Sequence, residues 1–213
     1  MKLLIVRPQP GADESAARAR EMGLDPVVAP LFETRALDWR PPDPDGFDAV
    51  LLTSANAARL GGEGLTAFLA LPCYAVGEAT AAAARAAGFT DVRTGPSDGA
   101  ALAAMAERNG ARSMLHLGGR DHVALDRVMH VAVYASEPAG TLPGDLNEAV
   151  VLLHSPRAAA RFAALASDRA KFTLAAISAQ TAEAAGGGWR KVAVASAPRD
   201  EALLELAAKL CQT

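Results

Sequence analysis

The sequence predicts an α/β protein built from two similar, doubly wound parallel-sheet domains. Three observations lead there. Short apolar runs alternate with Ala-, Arg- and Glu-rich helical stretches, the pattern of βαβ units on parallel sheets. The chain also repeats itself. Asp48-Ala49-Val50-Leu51-Leu52-Thr53-Ser54-Ala55-Asn56 returns as Glu148-Ala149-Val150-Val151-Leu152-Leu153-His154-Ser155-Pro156-Arg157, with Ser155 lying 101 residues after Ser54. Tyr74-Ala75-Val76-Gly77-Glu78-Ala79-Thr80 returns as Ala175-Ala176-Ile177-Ser178-Ala179-Gln180-Thr181, and Thr181 again lies 101 residues after Thr80. Solenoid units run about 20–50 residues, so a repeat this long points to paired domains. Finally, the copies are cut at different points, which implies a permutation.

The expected strands, in order, are Lys2–Val6, Pro26–Ala29, Ala49–Thr53, Cys73–Val76, Val92–Thr94, Ser113–Leu117, Val131–Tyr134, Ala149–Leu153, Thr173–Ile177 and Val192–Ala195. Each is a short, nearly continuous apolar run, as expected of strands buried on both faces. The expected helices include Asp13–Met22, Glu78–Ala87, Gly99–Arg108, Pro156–Ala166 and Asp200–Leu210. After its third strand the second copy ends, while the first runs on into two more, near 113–117 and 131–134. The N-terminal strands, Leu3–Arg7 and Val27–Phe32, resemble that later pair. They therefore complete the C-terminal domain, which is discontinuous (1–35 and 139–213) and holds the other domain (40–130) as an insert. The crossings fall near 32–40 and 131–140, and both carry Pro. Two short linkers permit hinge motion, and facing domains make a cleft for a ligand.

With 51% apolar residues the chain can bury a core, and its formal charge of −3 excludes a general nucleic-acid binder, which would show a basic stripe. No run approaches about 18 uncharged apolar residues, so no membrane span is expected. Met1–Pro8 reads as a strand rather than a signal peptide. Cys73 and Cys211 form no framework, which fits two free thiols in the cytoplasm. The four histidines lack metal-ligand spacing, and no serine-elbow motif surrounds His154.

Candidate site residues cluster where strands give way to helices, the ligand crevice of open α/β sheets. Thr53, Ser54 and Asn56 stand at one such turn, and Ser155 and Arg157 at its repeat. Serines there cap helices, and helix N-termini also offer N–H groups to anions. Pro156 suits the first helical position. Gly77 and its repeat Ser178 open the next pair of turns, where Gly permits close backbone approach. Thr181 could donate a hydroxyl to an anion. Capping and turn formation account for these residues equally well, but their matched placement favours a shared ligand face. Gly118-Gly119-Arg120 resembles an anion-cradling turn without matching a Walker or dinucleotide motif. Arg7, Arg35, Arg120 and Arg157 are candidates to meet carboxylates. Tyr134 ends a strand at the second crossing, and its phenol could serve as a general acid; packing is the simpler role for a strand tyrosine.

In order and spacing these motifs resemble the uroporphyrinogen-III synthase family. The resemblance runs from Leu4-Ile5-Val6-Arg7-Pro8 through Thr53-Ser54-Ala55-Asn56, Gly77-Glu78-Ala79-Thr80, Val133-Tyr134 and His154-Ser155-Pro156-Arg157 to Ser178-Ala179-Gln180-Thr181. It implies two flavodoxin-like domains, one circularly permuted and inserted into the other, joined by a two-stranded linker. It also implies a cytoplasmic, monomeric lyase that uses no metal or organic cofactor. Its substrate would be hydroxymethylbilane, a linear tetrapyrrole with eight carboxylates, received through transient contact with the preceding enzyme of the pathway. The family removes the terminal hydroxyl as water, passes through an azafulvene cation and a spirocyclic pyrrolenine, and closes the ring with the last pyrrole inverted. By the same resemblance Tyr134 assists departure of the hydroxyl. By resemblance too, Thr53, Ser54, Asn56, Gly77, Ser155, Arg157 and Thr181 bind substrate, and Arg7, Gly118, Arg120 and Ser178 join them as substrate-binding candidates from their placement. Ser178 replaces the family's usual Gly. The segment from Arg120 to Val131 is short for the helix expected between its strands, leaving room for about two turns. That shortening raises the alternative of a two-domain module that binds a small anion without turnover. A sugar- or nucleotide-dependent transferase is disfavoured by the lack of a Gly-rich phosphate loop.

Overall fold

A computed structural model describes residues 1–95, 98–144 and 148–212. In chain order the elements are β1 (Lys2–Ile5), α1 (Gly11–Glu21), β2 (Pro26–Val28), β3 (Phe32–Ala36), β4 (Ala49–Leu52), α2 (Ala55–Leu60), β5 (Cys73–Val76), α3 (Gly77–Ala86), β6 (Val92–Gly95) and α4 (Gly99–Arg108). They continue with β7 (Met114–Gly119), β8 (Val128–Pro138), β9 (Ala149–Leu153), α5 (Pro156–Leu165), β10 (Phe172–Ala176), α6 (Ala179–Ala185), β11 (Lys191–Val194) and α7 (Asp200–Cys211). By contact density the chain divides into two compact units. One is Met1–Glu33 with Glu137–Thr213, and the other is Thr34–Ser136.

The first unit holds a parallel sheet in the order β11-β10-β9-β1-β2. Its central strands are buried and, apart from Thr173, almost wholly apolar because both faces are covered. Leu4, Val151 and Leu174 pack with Phe162 of α5 and Ala185 of α6. Leu3, Ile5, Val150 and Leu152 point the other way, onto Ala12, Ala16 and Ala19 of α1 and onto Leu203, Leu204 and Ala207 of α7. Alternation across each strand thus fills two cores at once. Each fully buried Leu or Ile stabilises by roughly 1.5–3 kcal/mol.

The second unit holds the order β3-β8-β7-β4-β5-β6. Apart from β3, this is the same sheet renumbered: β7 stands where β1 does, β8 where β2 does, and β4, β5 and β6 where β9, β10 and β11 do. β3 adds an edge on β8. Leu37 N–H donates to Val133 O at 3.0 Å and Ala139 N–H to Leu31 O at 3.0 Å, an antiparallel sense. The segment 32–36, expected within a crossing of the two-stranded linker, is a strand.

One expectation is corrected. No helix lies between β7 and β8; residues 120–127 form an irregular connection, and β8 begins at Val128, earlier than expected. Parallel neighbours usually need a crossover of about a dozen residues or more. Here Leu125 does part of the missing helix's work. It packs with Tyr74, Leu102 and Met114 on the face that α4 covers, and it lies about 3.1 Å from where a Cβ on Gly99 would sit. Val123, two residues earlier, is left 83% exposed.

Candidate functional site

The strand-to-helix turns are capped as their serines suggest. Ser54 Oγ accepts from Asn56 N–H at 3.2 Å, Ser155 Oγ from Ala158 N–H at 3.2 Å, and Ser178 Oγ from Thr181 N–H at 3.3 Å. Pro156 occupies the first turn of α5. Each serine commits one lone pair to its helix and keeps its own O–H. Thr181 is fully buried, with its hydroxyl 3.0 Å from that of Ser178. Gly77 opens α3 at φ +68°, and nothing lies within 4 Å of the place a Cβ would take. The turn needs glycine for its backbone angle rather than for space. Arg157 is exposed, with its guanidinium 4.8 Å over the Phe32 ring.

In the second unit a cavity of about 320 Å³ is lined by Thr53, His116, Gly119, His122, Leu125 and Tyr134, together with the first residues of α4. Tyr134 reaches it through a β-bulge. Gly118 pairs with Ala132 but Gly119 with Tyr134, so one extra residue stands on β8. Such a bulge re-aims the side chains that follow it. Consecutive residues Val133 and Tyr134 therefore both reach the same hydrophobic cluster. The phenol ring lies against Gly119, where a Cβ would sit 3.0 Å from it. Arg120 N–H donates to Tyr134 O at 2.9 Å, while its side chain is exposed.

Three histidines gather beside this cavity. Thr53 Oγ1 is 2.9 Å from His116 Nε2, and His116 Nδ1 is 3.1 Å from His130 Nδ1. The rings of His122 and His130 stack with centroids 3.4 Å apart. Burial, reinforced by the neighbouring imidazoles, pushes His116 down to about 4, so it is neutral near pH 7. Burial also lowers His130. Gly118 serves this cluster, since a Cβ on it would meet His116 Nε2 at 2.8 Å. Among the described residues, no three or more His, Cys, Asp or Glu converge to hold a metal ion.

The first unit carries a different polar centre, at the carboxyl ends of β1 and β9. Asp200, at the start of α7, accepts from Ser15 Oγ at 2.8 Å and from His154 Nε2 at 2.7 Å. It also accepts from Arg18 at 2.6 and 3.0 Å and from Arg7 at 3.5 Å. Burial alone would raise the Asp200 carboxyl, but the bonds from His154, Ser15 and Arg18 outweigh it and hold the group well below the usual range. Burial lowers His154, with Asp200 opposing and Arg7 adding to the shift. Arg7 crosses the start of α1, where a Cβ on Gly11 would lie 2.6 Å from its guanidinium.

The structure thus brings Thr53 and Tyr134 to one cavity and ties Arg7 to Asp200. The imidazole cluster and the Asp200 centre escaped sequence reasoning. The first had a signal: His116 and His130 are register partners on adjacent strands, visible once β8 is started at Val128.

Comparison with known proteins agrees with this architecture. None of the curated proteins compared matches the chain. A uroporphyrinogen-III synthetase structure from Helicobacter pylori aligns over 99% of this chain and 100% of its own, at 20% identity and a TM-score of 0.67. A mutant uroporphyrinogen III synthase from Thermus thermophilus aligns over 100% of both chains, at 17% identity and a TM-score of 0.53. At such identities these likenesses establish the fold. A family model described as uroporphyrinogen-III synthase HemD matches residues 13–205, nearly the whole length, and on that match the chain belongs to the uroporphyrinogen-III synthase family.

Proposed function

We propose that the chain converts hydroxymethylbilane to uroporphyrinogen III, and that Tyr134 assists the first step. The family is one of cyclising lyases of tetrapyrrole biosynthesis. The observation that carries the residue assignment is the cavity that Tyr134 and Thr53 both line, together with Leu125. A proton passes from the phenol to the terminal hydroxyl, the C–O bond breaks, and water leaves an azafulvene cation. The last ring attacks through its substituted carbon to give the spirocyclic pyrrolenine, which rearranges and loses a proton on closing. The open chain can also close by itself to the wrong isomer, so holding its conformation is the larger part of the task.

The remaining assignments are carboxylate contacts. Ser54, Ser155 and Ser178 keep their hydroxyl protons while capping, which supports them as donors. Asn56 lies at the Ser54 turn, Gly77 opens α3, and Gly118 in β7 leaves room for His116, while Arg7, Arg120 and Arg157 supply positive charge. Thr181 supports Ser178 from beneath. The enzyme acts as a cytoplasmic monomer and takes its substrate from the preceding enzyme. No described helix is long and apolar enough to cross a membrane. The test is consumption of enzymatically generated hydroxymethylbilane faster than its spontaneous closure. Loss at only the spontaneous rate, from folded protein, would reject the reading.

A further inference from the structure

The imidazole pair behind Thr53 has a direction that its unpaired atom reveals. A neutral imidazole carries one N–H and one bare nitrogen. The 3.1 Å contact between the Nδ1 atoms of His116 and His130 therefore has a proton on one side only. If His116 donates, its Nε2 is bare and must accept the Thr53 hydroxyl. His130 then carries its proton on Nε2. That atom is buried and has no hydrogen-bond partner among the described residues. The Gly119 carbonyl favours the protonated ring of His130, but no acceptor among the described residues meets hydrogen-bond distance and angle at Nε2. A buried N–H without an acceptor is rare and costly.

The opposite direction removes that orphan donor. His130 Nδ1–H donates to His116 Nδ1, and His130 Nε2 is a bare lone pair. His116 then carries its proton on Nε2 and donates to Thr53 Oγ1 across 2.9 Å. Thr53, already accepting from His116, can turn its own O–H toward the cavity that both residues line. An ionised carboxylate only accepts hydrogen bonds, so it needs that orientation and is repelled by the other. The ring of His122 stacks on His130.

We infer that His116 and His130 are positioning residues that present the Thr53 hydroxyl as a hydrogen-bond donor to a carboxylate of the substrate. The substrate half of this inference rests on the proposed function, whereas the hydrogen-bond direction does not.

The test has two arms. The first is nitrogen-15 NMR of the wild-type imidazoles near pH 7. The expected spectrum shows protons on Nε2 of His116 and Nδ1 of His130, and a proton on His116 Nδ1 would overturn the inference. The second is steady-state kinetics of type III formation by His116→Leu, His116→Gln, Thr53→Val and the His116→Leu/Thr53→Val double variant. His116→Leu is expected to raise KM about tenfold, the loss of one hydrogen bond to a charged group, with kcat within about twofold. His116→Gln, which keeps an N–H near the Nε2 position, restores most of it, and the double variant is no worse than Thr53→Val alone. An unchanged KM in His116→Leu, or His116→Gln as poor as His116→Leu, would also overturn it. A wild-type protein that forms no type III product would instead reject the function and with it the substrate half; the spectrum still decides the direction.

Discussion

Asp200 accepts a 2.7 Å hydrogen bond from His154 Nε2, tying the first turn of α7 to the residue that follows β9. His154 is only 8% exposed and Asp200 11%. Since burial keeps the imidazole neutral and Nε2 carries the proton, the buried Nδ1, without a partner among the described residues, is a lone pair rather than a stranded donor. Asp200→Ala would leave His154, Ser15 and two arginines without their common acceptor. It is expected to destabilise by roughly 2–4 kcal/mol, read as a lower urea midpoint at unchanged slope.

Stability is expected to fall with pH in two stages. His116 and His154 bind protons less readily in the folded chain than in the unfolded one. Below the ordinary value of about 6.5 the unfolded state therefore takes up more protons, and stability drops until the folded groups titrate, at about 4 for His116. Asp200 acts in the other range. Its stabilisation is present above the ordinary carboxylate value and is lost as pH falls through its depressed folded value. Urea unfolding from pH 8 to pH 4 should show the first stage, worth at most about 3 kcal/mol for His116, and His116→Gln should flatten it. An unchanged slope in that variant would show that His116 titrates alike in both states.

The repeat made most of the fold legible. Runs such as Leu3–Val6 and Val150–Leu153 are apolar on both faces because two helical layers cover them, and that pattern survives in sequence. The connection between β7 and β8 was legible only as too short for the usual crossover helix; nothing in 120–127 announces that Leu125 would fill its place. The site divides the same way. Serine caps such as Ser54, Ser155 and Ser178 depend on local spacing and were readable. The partners of His116 and Asp200 come from strands and helices distant in sequence, and the bulge that aims Tyr134 depends on pairing register.

That bulge leads to a prediction at Gly119. A Cβ there would press on the Tyr134 ring at about 3.0–3.1 Å, so the phenol must give by a few tenths of an ångström. Gly119→Ala is expected to fold and to lose roughly threefold to tenfold in kcat through misplacement of the phenol, measured by single-turnover kinetics.

Removing the phenolic proton is a sharper change. Tyr134→Phe keeps the ring and its packing, so the urea midpoint should move little. Its kcat is expected to fall about 100-fold, the usual scale for a general acid, with KM nearly unchanged. Wild-type turnover in this variant would show that water or the substrate's own carboxylates assist departure.

The isomer of the product tests the central claim most directly. Hydroxymethylbilane generated enzymatically, incubated with this protein, oxidised and separated chromatographically, should give mainly the type III isomer, in a fraction that rises with protein concentration. Only the type I isomer, at every concentration of folded protein, would contradict the account and leave a two-domain fold that binds without cyclising.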